Sequence, residues 1–262
     1  MCTVVILRRP GHDWPLIFAA NRDEMNDRPW LPPGRHWPDR PPVTAGLDEL
    51  AGGTWLGLND DGVIAGVLNR PGSLGPDPDL RSRGELPLDA LDHAEAEAAA
   101  DALSMIEPTS FRPFNLAVAD ARKAFWLCSR GGGEPIRAAA VPDGLSMITA
   151  FDMNDEATPR IRRFKPRFEA AQPPDPESGD WAAWRALMGA TGKETAGEKE
   201  TGPESEPGGN MTFSTEEGFG TVSSSLIALP APGRTKDGGL VRPVWLFAPG
   251  PPDKTAYGAV DL

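Results

Sequence analysis

Short runs of apolar and β-branched residues recur along the chain and are separated by turn residues. Two such runs flank Asn59-Asp60-Asp61-Gly62, and a polar turn that ends in glycine is typical of a β-hairpin. The pattern therefore predicts antiparallel sheets. The predicted strands are Thr3–Leu7, Leu16–Ala20, Thr54–Leu58, Val63–Leu68, Asn115–Ala119, Ala124–Cys128, Leu145–Phe151, Thr221–Leu229 and Val241–Phe247.

Helical periodicity is found in three segments, Leu88–Ile106, Pro159–Ala171 and Asp180–Met188. The predicted strands outnumber these helices and follow one another in groups instead of alternating with them. Grouped strands favour a layered arrangement over a doubly wound parallel sheet. The sequence therefore predicts an α+β fold built on antiparallel sheets.

Three polar or proline-rich segments interrupt the predicted elements. Pro29–Pro42 and Pro71–Pro78 are predicted to be loops because proline restricts regular structure. Thr191–Asn210 has Ala196 as its single apolar residue, so it buries too little surface to order itself. We expect one domain over residues 1–262, with a disordered insertion at residues 191–210.

Composition and charge exclude several classes of protein. The 262 residues are 39% hydrophobic, enough for a sizeable core, and the formal net charge of -12 argues against nucleic acid as a partner. The apolar run at the start is too short for a signal peptide, and the other apolar runs are far shorter than a membrane span. The two cysteines make no disulfide framework. These features predict a cytoplasmic protein without a membrane span.

Cys2 is the first candidate for chemistry. If Met1 is removed, Cys2 carries a free α-amine with a pKa of about 7.7 to 8.0 and a thiol with a pKa of about 8.5. The amine is then able to act as the base for the thiol of the same residue near neutral pH. The alternative is that Cys2 begins a buried strand and that its thiol is inert.

One polar stretch falls where a hairpin would return the chain toward Cys2. Asn21, Arg22, Asp23 and Glu24 follow the second predicted strand. A carboxylate at this point is able to hold an ammonium group or to orient an amine. The alternative is a solvated loop with ordinary charges.

A second polar pair, Asn69 and Arg70, ends a later predicted strand just before Pro71 and Gly72. Main-chain N–H groups at such a sheet end are able to stabilise an oxyanion. A plain strand end is the alternative that the spacing also allows.

Four motifs in chain order resemble those of a known family. They are Ala19–Glu24, Gly52–Gly57, Arg83–Leu86 and Gly220–Ser225. The first is similar to the signature of the NRDE family, which is also called the Transport and Golgi organisation protein 2 family. The resemblance covers most of the chain outside residues 191–210.

This family is related to the N-terminal-nucleophile hydrolases, which implies a four-layer αββα sandwich of antiparallel sheets. Within that group the chain is similar to the cysteine-type amidases of the penicillin V acylase and bile-salt hydrolase kind. The resemblance implies that Cys2 matches the nucleophile and Asp23 the carboxylate near its amine. It also implies that the main-chain N–H of Asn69 lines an oxyanion hole.

Two positions depart from these patterns. The amidases carry an oxyanion-hole asparagine in a Leu-Thr-Asn stretch, whereas this chain has Met147 at the matching position. Because a methionine side chain has no N–H to donate, efficient amide hydrolysis requires a substitute such as Asn154. Val222 stands where the family motif often has arginine, which implies that one cationic contact is missing.

The resemblance implies two functions of different classes. The first is the handling of an amphipathic small molecule, with haem or an acyl lipid or acyl-coenzyme A compound as the ligand and no required cofactor. The second is a cysteine-nucleophile amidohydrolase that cleaves a linear C–N amide bond. The side chains expected to contact a ligand, besides those of Cys2, Asp23 and Asn69, are Asn21, Arg22, Arg70, Arg83 and Met147.

Arginine side chains suit the anionic groups of these ligands. The basic segment Arg160–Arg167 at a predicted helix start is able to meet haem propionates or coenzyme A phosphates, or else it forms a solvated helix face. No spacing distinguishes the possible axial ligands of haem, and the oligomeric state is left open. These possible axial ligands are Cys2, His12, His36 and Met147.

Overall fold

The computed structural model describes residues 2–73, 75, 77–191 and 209–262. The strands in this part of the chain are β1 Thr3–Arg8, β2 Leu16–Met25, β3 Trp30–Gly34, β4 Val43–Asp48, β5 Leu56–Asn59, β6 Ile64–Asn69, β7 Phe114–Ala119, β8 Ala124–Ser129, β9 Arg137–Ala140, β10 Gly144–Ile148, β11 Phe219–Leu229, β12 Thr235–Lys236, β13 Gly239–Leu240, β14 Val244–Ala248 and β15 Gly258–Ala259. The α-helices are α1 Glu85–Leu91, α2 Ala96–Ser104, α3 Pro159–Ala170 and α4 Ala182–Met188.

The strands form two large antiparallel sheets. The six-stranded sheet has the order β10-β1-β2-β11-β14-β15, and the seven-stranded sheet has the order β3-β4-β5-β6-β7-β8-β9. The seven-stranded sheet follows chain order, so each strand pairs with its neighbour in the chain, and α1 and α2 lie in the connection between β6 and β7. In the six-stranded sheet, β10 and β11 come from distant segments and flank the β1–β2 pair.

Three apolar cores divide the molecule into four layers. Phe18 and Leu56 pack between the two sheets. Leu88, from α1, packs on the outer face of the seven-stranded sheet together with side chains of α2. Phe164 and Trp184, from α3 and α4, cover the outer face of the six-stranded sheet. The order helix, sheet, sheet, helix confirms the αββα sandwich expected from the sequence.

The alternation of side chains in β1 explains how one strand contributes to two cores. Val4 and Ile6 face the other sheet, whereas Val5 faces α3 and α4. Because both faces are covered, the strand has a nearly continuous apolar sequence. The register pairs Thr3 with Asn21, so the residues that follow Asn21 lie beside the start of β1.

The single predicted helix Leu88–Ile106 is wrong, because two helices occupy this segment. α1 ends at Leu91 and α2 begins at Ala96. Distant side chains stabilise the break: Asn59 donates to the main-chain oxygen of Leu91, and Asp120 accepts from the N–H of Ala96. Polar groups at helix ends need such partners, and the apolar periodicity contains no sign of them.

The predicted loop Pro29–Pro42 is wrong in part, because Trp30–Gly34 forms β3 at the edge of the seven-stranded sheet. An edge strand tolerates proline because one row of its N–H groups needs no partner. Pro32 and Pro33 lie within a register shift between β3 and β4. The described part of Pro71–Pro78 is a loop, as predicted.

The predicted insertion at residues 191–210 lies outside the described residues except for Thr191, Gly209 and Asn210. The single domain over residues 1–262 therefore stays a prediction. No helix in the described ranges is long and apolar enough to cross a membrane. The cytoplasmic location also stays a prediction.

Two of the sequence motifs meet backbone to backbone at Gly53 and Gly84. The N–H of Thr54 donates to the carbonyl oxygen of Gly84 at 2.9 Å. A Cβ atom on Gly53 would lie 2.5 Å from the carbonyl carbon of Gly84, so the approach leaves no room for a side chain. This contact holds the segment that carries Arg83 against the loop that carries Trp55.

We expect Gly53→Ala to destabilise the protein by about 1–3 kcal/mol, because the added methyl group must displace the Gly84 backbone. Thermal unfolding followed by circular dichroism measures the effect. Gly258→Ala is the matched control, because a Cβ atom there meets no described atom within 4 Å. Equal melting temperatures for the two variants would contradict the close approach of Gly53 and Gly84.

Candidate functional site

A cleft opens where β1 begins and where β2 and β6 end. Its volume is about 500 Å³. The residues that line it include Cys2, Arg22, Asp23, Trp55, Asn69 and Arg83. All of these except Trp55 are site residues predicted from the sequence, so the fold brings them together at one end of the two sheets.

Cys2 lies half-buried directly before β1. Its Sγ atom accepts a hydrogen bond from the N–H of Asp23 at 3.3 Å, a contact that follows from the antiparallel pairing of β1 and β2. Burial raises the pKa of the Cys2 thiol, the negative charge of Asp23 raises it further, and the positive charge of Arg22 opposes them. The neutral thiol is therefore the favoured form in this environment.

The Asp23 carboxylate belongs to a buried polar cluster next to Cys2. Its Oδ2 atom accepts from Arg160 Nη1 at 3.2 Å, and its Oδ1 atom accepts from the Thr221 hydroxyl at 2.7 Å. Arg160 Nη1 also donates to Thr3 Oγ1 at 2.6 Å. The side chains of Asp23 and Arg160 have no exposed surface. One carboxylate thus links β1, β2, β11 and α3.

Arg160 differs from the other basic residues of the segment Arg160–Arg167, which the sequence predicts to contact a ligand or to form a solvated helix face. The Arg160 side chain turns inward from the first turn of α3 to Asp23, whereas Arg162 is exposed. A cation is therefore supplied to Asp23 by α3. A register shift at Val222 also sets Thr221 opposite Asp23. No local pattern indicates a contact across 137 residues.

Arg83 brings a positive charge into the cleft. Its Nη1 atom donates to Ser73 Oγ at 2.7 Å and to the carbonyl oxygen of Pro113 at 3.1 Å, both of which are neutral acceptors. Burial and the nearby charge of Arg112 lower the pKa of Arg83 to about 10. The side chain therefore stays protonated near neutral pH and favours an anion beside it.

Arg22 lies on the cleft side of β2 and stacks on an indole ring. Its guanidinium carbon is 4.1 Å from the centroid of the Trp55 ring, and its Nη2 atom is 3.3 Å from Asp48 Oδ2. Burial lowers the pKa of Arg22, and Asp48 opposes this shift. Neither Trp55 nor Asp48 was expected at the site, because glycine dominates the motif around Trp55 and the β4–β5 turn gives no chemical signal.

The other three predicted ligand contacts do not line this cleft, although Asn21 lines a small cavity together with Cys2. The Asn21 amide donates to the main-chain oxygens of Met188 and Met211 at 3.0 and 2.8 Å. Arg70 makes an ion pair with Asp152 at 2.8 Å. Met147 is buried among the side chains of α3 and α4. These side chains hold the fold around the site and do not line the cleft described above.

Asn154, the proposed substitute for an oxyanion donor, is engaged at β10. Its Oδ1 atom accepts from the N–H of Met147 at 2.9 Å, and its Nδ2 atom donates to Ser146 Oγ at 3.2 Å. The amide thus closes a turn against the strand. In this arrangement it does not serve Cys2.

The αββα sandwich of two antiparallel sheets is an N-terminal-nucleophile hydrolase-like fold. An N-acylethanolamine-hydrolyzing acid amidase ortholog from Caenorhabditis elegans aligns over 88% of this chain and 94% of its own, with 15% identity and a TM-score of 0.51. Penicillin V acylase from Agrobacterium tumefaciens aligns over 95% of this chain and 83% of its own, with 16% identity and a TM-score of 0.51. Identities this low show a shared fold only.

Residues 1–236 match the family Transport and Golgi organisation 2, and the chain belongs to that family. The Transport and Golgi organization 2 homolog of Mus musculus is 35% identical over 146 residues, which is 50% of each chain. The Homo sapiens homolog is 34% identical over 149 residues, 52% of this chain and 51% of its own. The chain spans about half the length of the curated relatives it matches. The resemblance seen in the motifs is confirmed.

We expect Arg160→Met to lower the free energy of unfolding by about 3–5 kcal/mol, because the buried charge of Asp23 loses its cation. Chemical denaturation measures the change. Arg162→Met, on the exposed side of the same helix, is the matched control and should change stability by less than about 0.5 kcal/mol. The double variant Asp23→Asn/Arg160→Met should recover part of the loss. Strict additivity of the two substitutions would contradict the pairing.

Proposed function

We propose that this chain binds a small amphipathic acyl compound, with its anionic head group near Arg83 and its carbonyl group near Cys2. The main support is that Arg83 is protonated and has neutral hydrogen-bond partners in the same cleft as Cys2. A volume of about 500 Å³ is ordinary for a small-molecule site. Trp55, Val67 and Phe219 supply apolar surface for the acyl part.

Haem is the other amphipathic ligand expected from the sequence, and the described residues fit it poorly. Three axial-ligand candidates are engaged elsewhere: His12 accepts a main-chain N–H, His36 contacts a main-chain carbonyl oxygen, and Met147 is buried toward α3 and α4. Cys2 does line the cleft, but iron prefers the thiolate and burial raises the pKa of this thiol. We therefore favour an acyl compound over haem.

Octanoyl-coenzyme A is a suitable probe, because it combines phosphates, a carbonyl group and an apolar chain. In titration calorimetry we expect the wild type to bind it and Arg83→Met to bind about tenfold more weakly or worse, since a charge-assisted contact is lost. Arg137→Met removes the same charge from the exposed strand β9 and should bind as the wild type does. Equal affinities for Arg83→Met and the wild type, or no binding by the wild type, would refute the proposal.

A cysteine-nucleophile amidohydrolase is the second candidate, and the surroundings of Cys2 favour it. Sγ lines the cleft, and Asp23 on the neighbouring strand is held in place by Arg160. If Met1 is removed, the new amine lies at the same end of β1 as this carboxylate, which is suited to orient it as a base. The Asn69 main chain, at the end of β6, would complete the arrangement that the family resemblance implies.

Intact mass spectrometry of the protein isolated from its own host tests this second candidate. The amidohydrolase hypothesis predicts a mass that lacks Met1 and a slow release of amine from a linear acyl amide. Cys2→Ala should abolish the release, because the nucleophile is gone, whereas Cys128→Ala should retain it. A retained Met1, or equal turnover by Cys2→Ala, would exclude this mechanism.

A further inference from the structure

Arg22 occupies an unusual position for a charged side chain. It is 5% exposed and packs on the Trp55 ring, with its guanidinium carbon 4.1 Å from the centroid of Trp55 and 6.0 Å from that of Trp30. Stacking of this kind fixes the plane of the guanidinium group. The directions of its N–H groups are therefore set before any ligand arrives.

One end of this guanidinium group has a partner and the other does not. Nη2 contacts Asp48 Oδ2 at 3.3 Å. Asp48 is shared with Arg28, whose Nε atom is 2.7 Å from the same oxygen, so its charge is divided between two cations. Arg22 Nη1 is buried and has no hydrogen-bond partner among the described residues. A buried charged donor without an acceptor is unfavourable, and an oxygen atom from outside the chain would satisfy it.

Arg22 shares its surroundings with Cys2. Both residues line the cleft, and both also line a small cavity of about 20 Å³ between the sheets. The positive charge of Arg22 acts on the Cys2 thiol and opposes the rise in its pKa that burial and Asp23 cause. An oxygen atom bound to Arg22 would therefore belong to a ligand that lies in the same cleft as Cys2.

We propose that Arg22 is the oxygen-binding anchor of the cleft: its Nη1 atom donates a hydrogen bond to a carboxyl-derived oxygen of the ligand beside Cys2. The oxygen belongs either to a carboxylate or to the carbonyl group of an amide or thioester. This inference deepens the proposed function and rests on it for the nature of the ligand. A buried water is the competing acceptor, since the small cavity has room for one.

Alkylation of Cys2 tests the anchor without a known ligand. Iodoacetate carries a carboxylate, iodoacetamide carries a neutral carbonyl, and methyl methanethiosulfonate carries neither. All three react with the same thiolate, so the fraction of Cys2 that is ionised cancels in the ratios of their rate constants. Peptide mapping separates modification of Cys2 from modification of Cys128. For each carbonyl reagent, the rate constant is divided by that of methyl methanethiosulfonate. In the wild type, both of these ratios should be higher for Cys2 than for the thiol of glutathione.

Arg22→Gln should lower these two ratios by about tenfold, because the charge-assisted hydrogen bond is lost. Arg22→Lys keeps the positive charge but has no nitrogen atom at the position of Nη1. Its iodoacetamide ratio should therefore fall most of the way to that of glutathione. Arg28→Gln is the matched control, because Arg28 lines the same cleft and shares Asp48. The rate ratios of Arg28→Gln should stay within about twofold of the wild-type values, since this variant changes only the long-range electrostatic potential in the cleft.

Wild-type ratios equal to those of glutathione would overturn the anchor, and so would an equal loss in Arg28→Gln and Arg22→Gln. The wild-type comparison holds even if an Arg22 variant does not fold. A gain with iodoacetate alone identifies a carboxylate site, and a gain with both carbonyl reagents identifies a site for either oxygen. If the ratios behave as expected but octanoyl-coenzyme A does not bind, the anchor stands and the proposed function fails.

Discussion

The buried ion pair between Asp23 and Arg160 is the interaction on which the candidate site depends. Two charges without exposed surface are tolerated only when they are paired and hydrogen-bonded, and Thr3 and Thr221 provide the remaining bonds. The four side chains come from the β1–β2 hairpin and from β11 and α3, which are distant from it in sequence. The surroundings of Cys2 therefore exist only after the six-stranded sheet and its helices have assembled.

Local pairing explains which parts of the site the sequence could predict. Cys2 and Asp23 meet because β1 and β2 form a hairpin with an apolar register, and this pattern is visible in the sequence. The strands of the seven-stranded sheet follow chain order, so Asn69 could be placed at a sheet end by spacing alone. The position of Arg83 came from its motif, and the close approach of Gly53 and Gly84 is its physical basis.

The remaining features depend on facts that a linear pattern does not contain. Met147 was matched by its place in a motif, but alternation along β10 sends its side chain to the helix layer while Ile148 faces the other sheet. Arg70 follows a strand end as predicted, yet an ion pair with Asp152 directs its side chain. Arg160 illustrates the same limit, because the choice between a solvated and a buried arginine is made by a carboxylate far away in sequence.

The charges around Cys2 indicate which ligands are compatible with attack by its thiol. Burial and Asp23 raise the pKa of the thiol, and Arg22 is the neighbouring side chain that opposes them. A carboxylate bound to Arg22 would offset this opposing charge and would favour the neutral thiol over the thiolate. A neutral carbonyl oxygen at the same atom would leave the charge of Arg22 in place and would polarise the carbonyl carbon next to the sulfur. The same anchor would therefore make the site a binder of acids and a reactive centre for amides or thioesters, and the choice between these two roles would lie in the charge of the ligand.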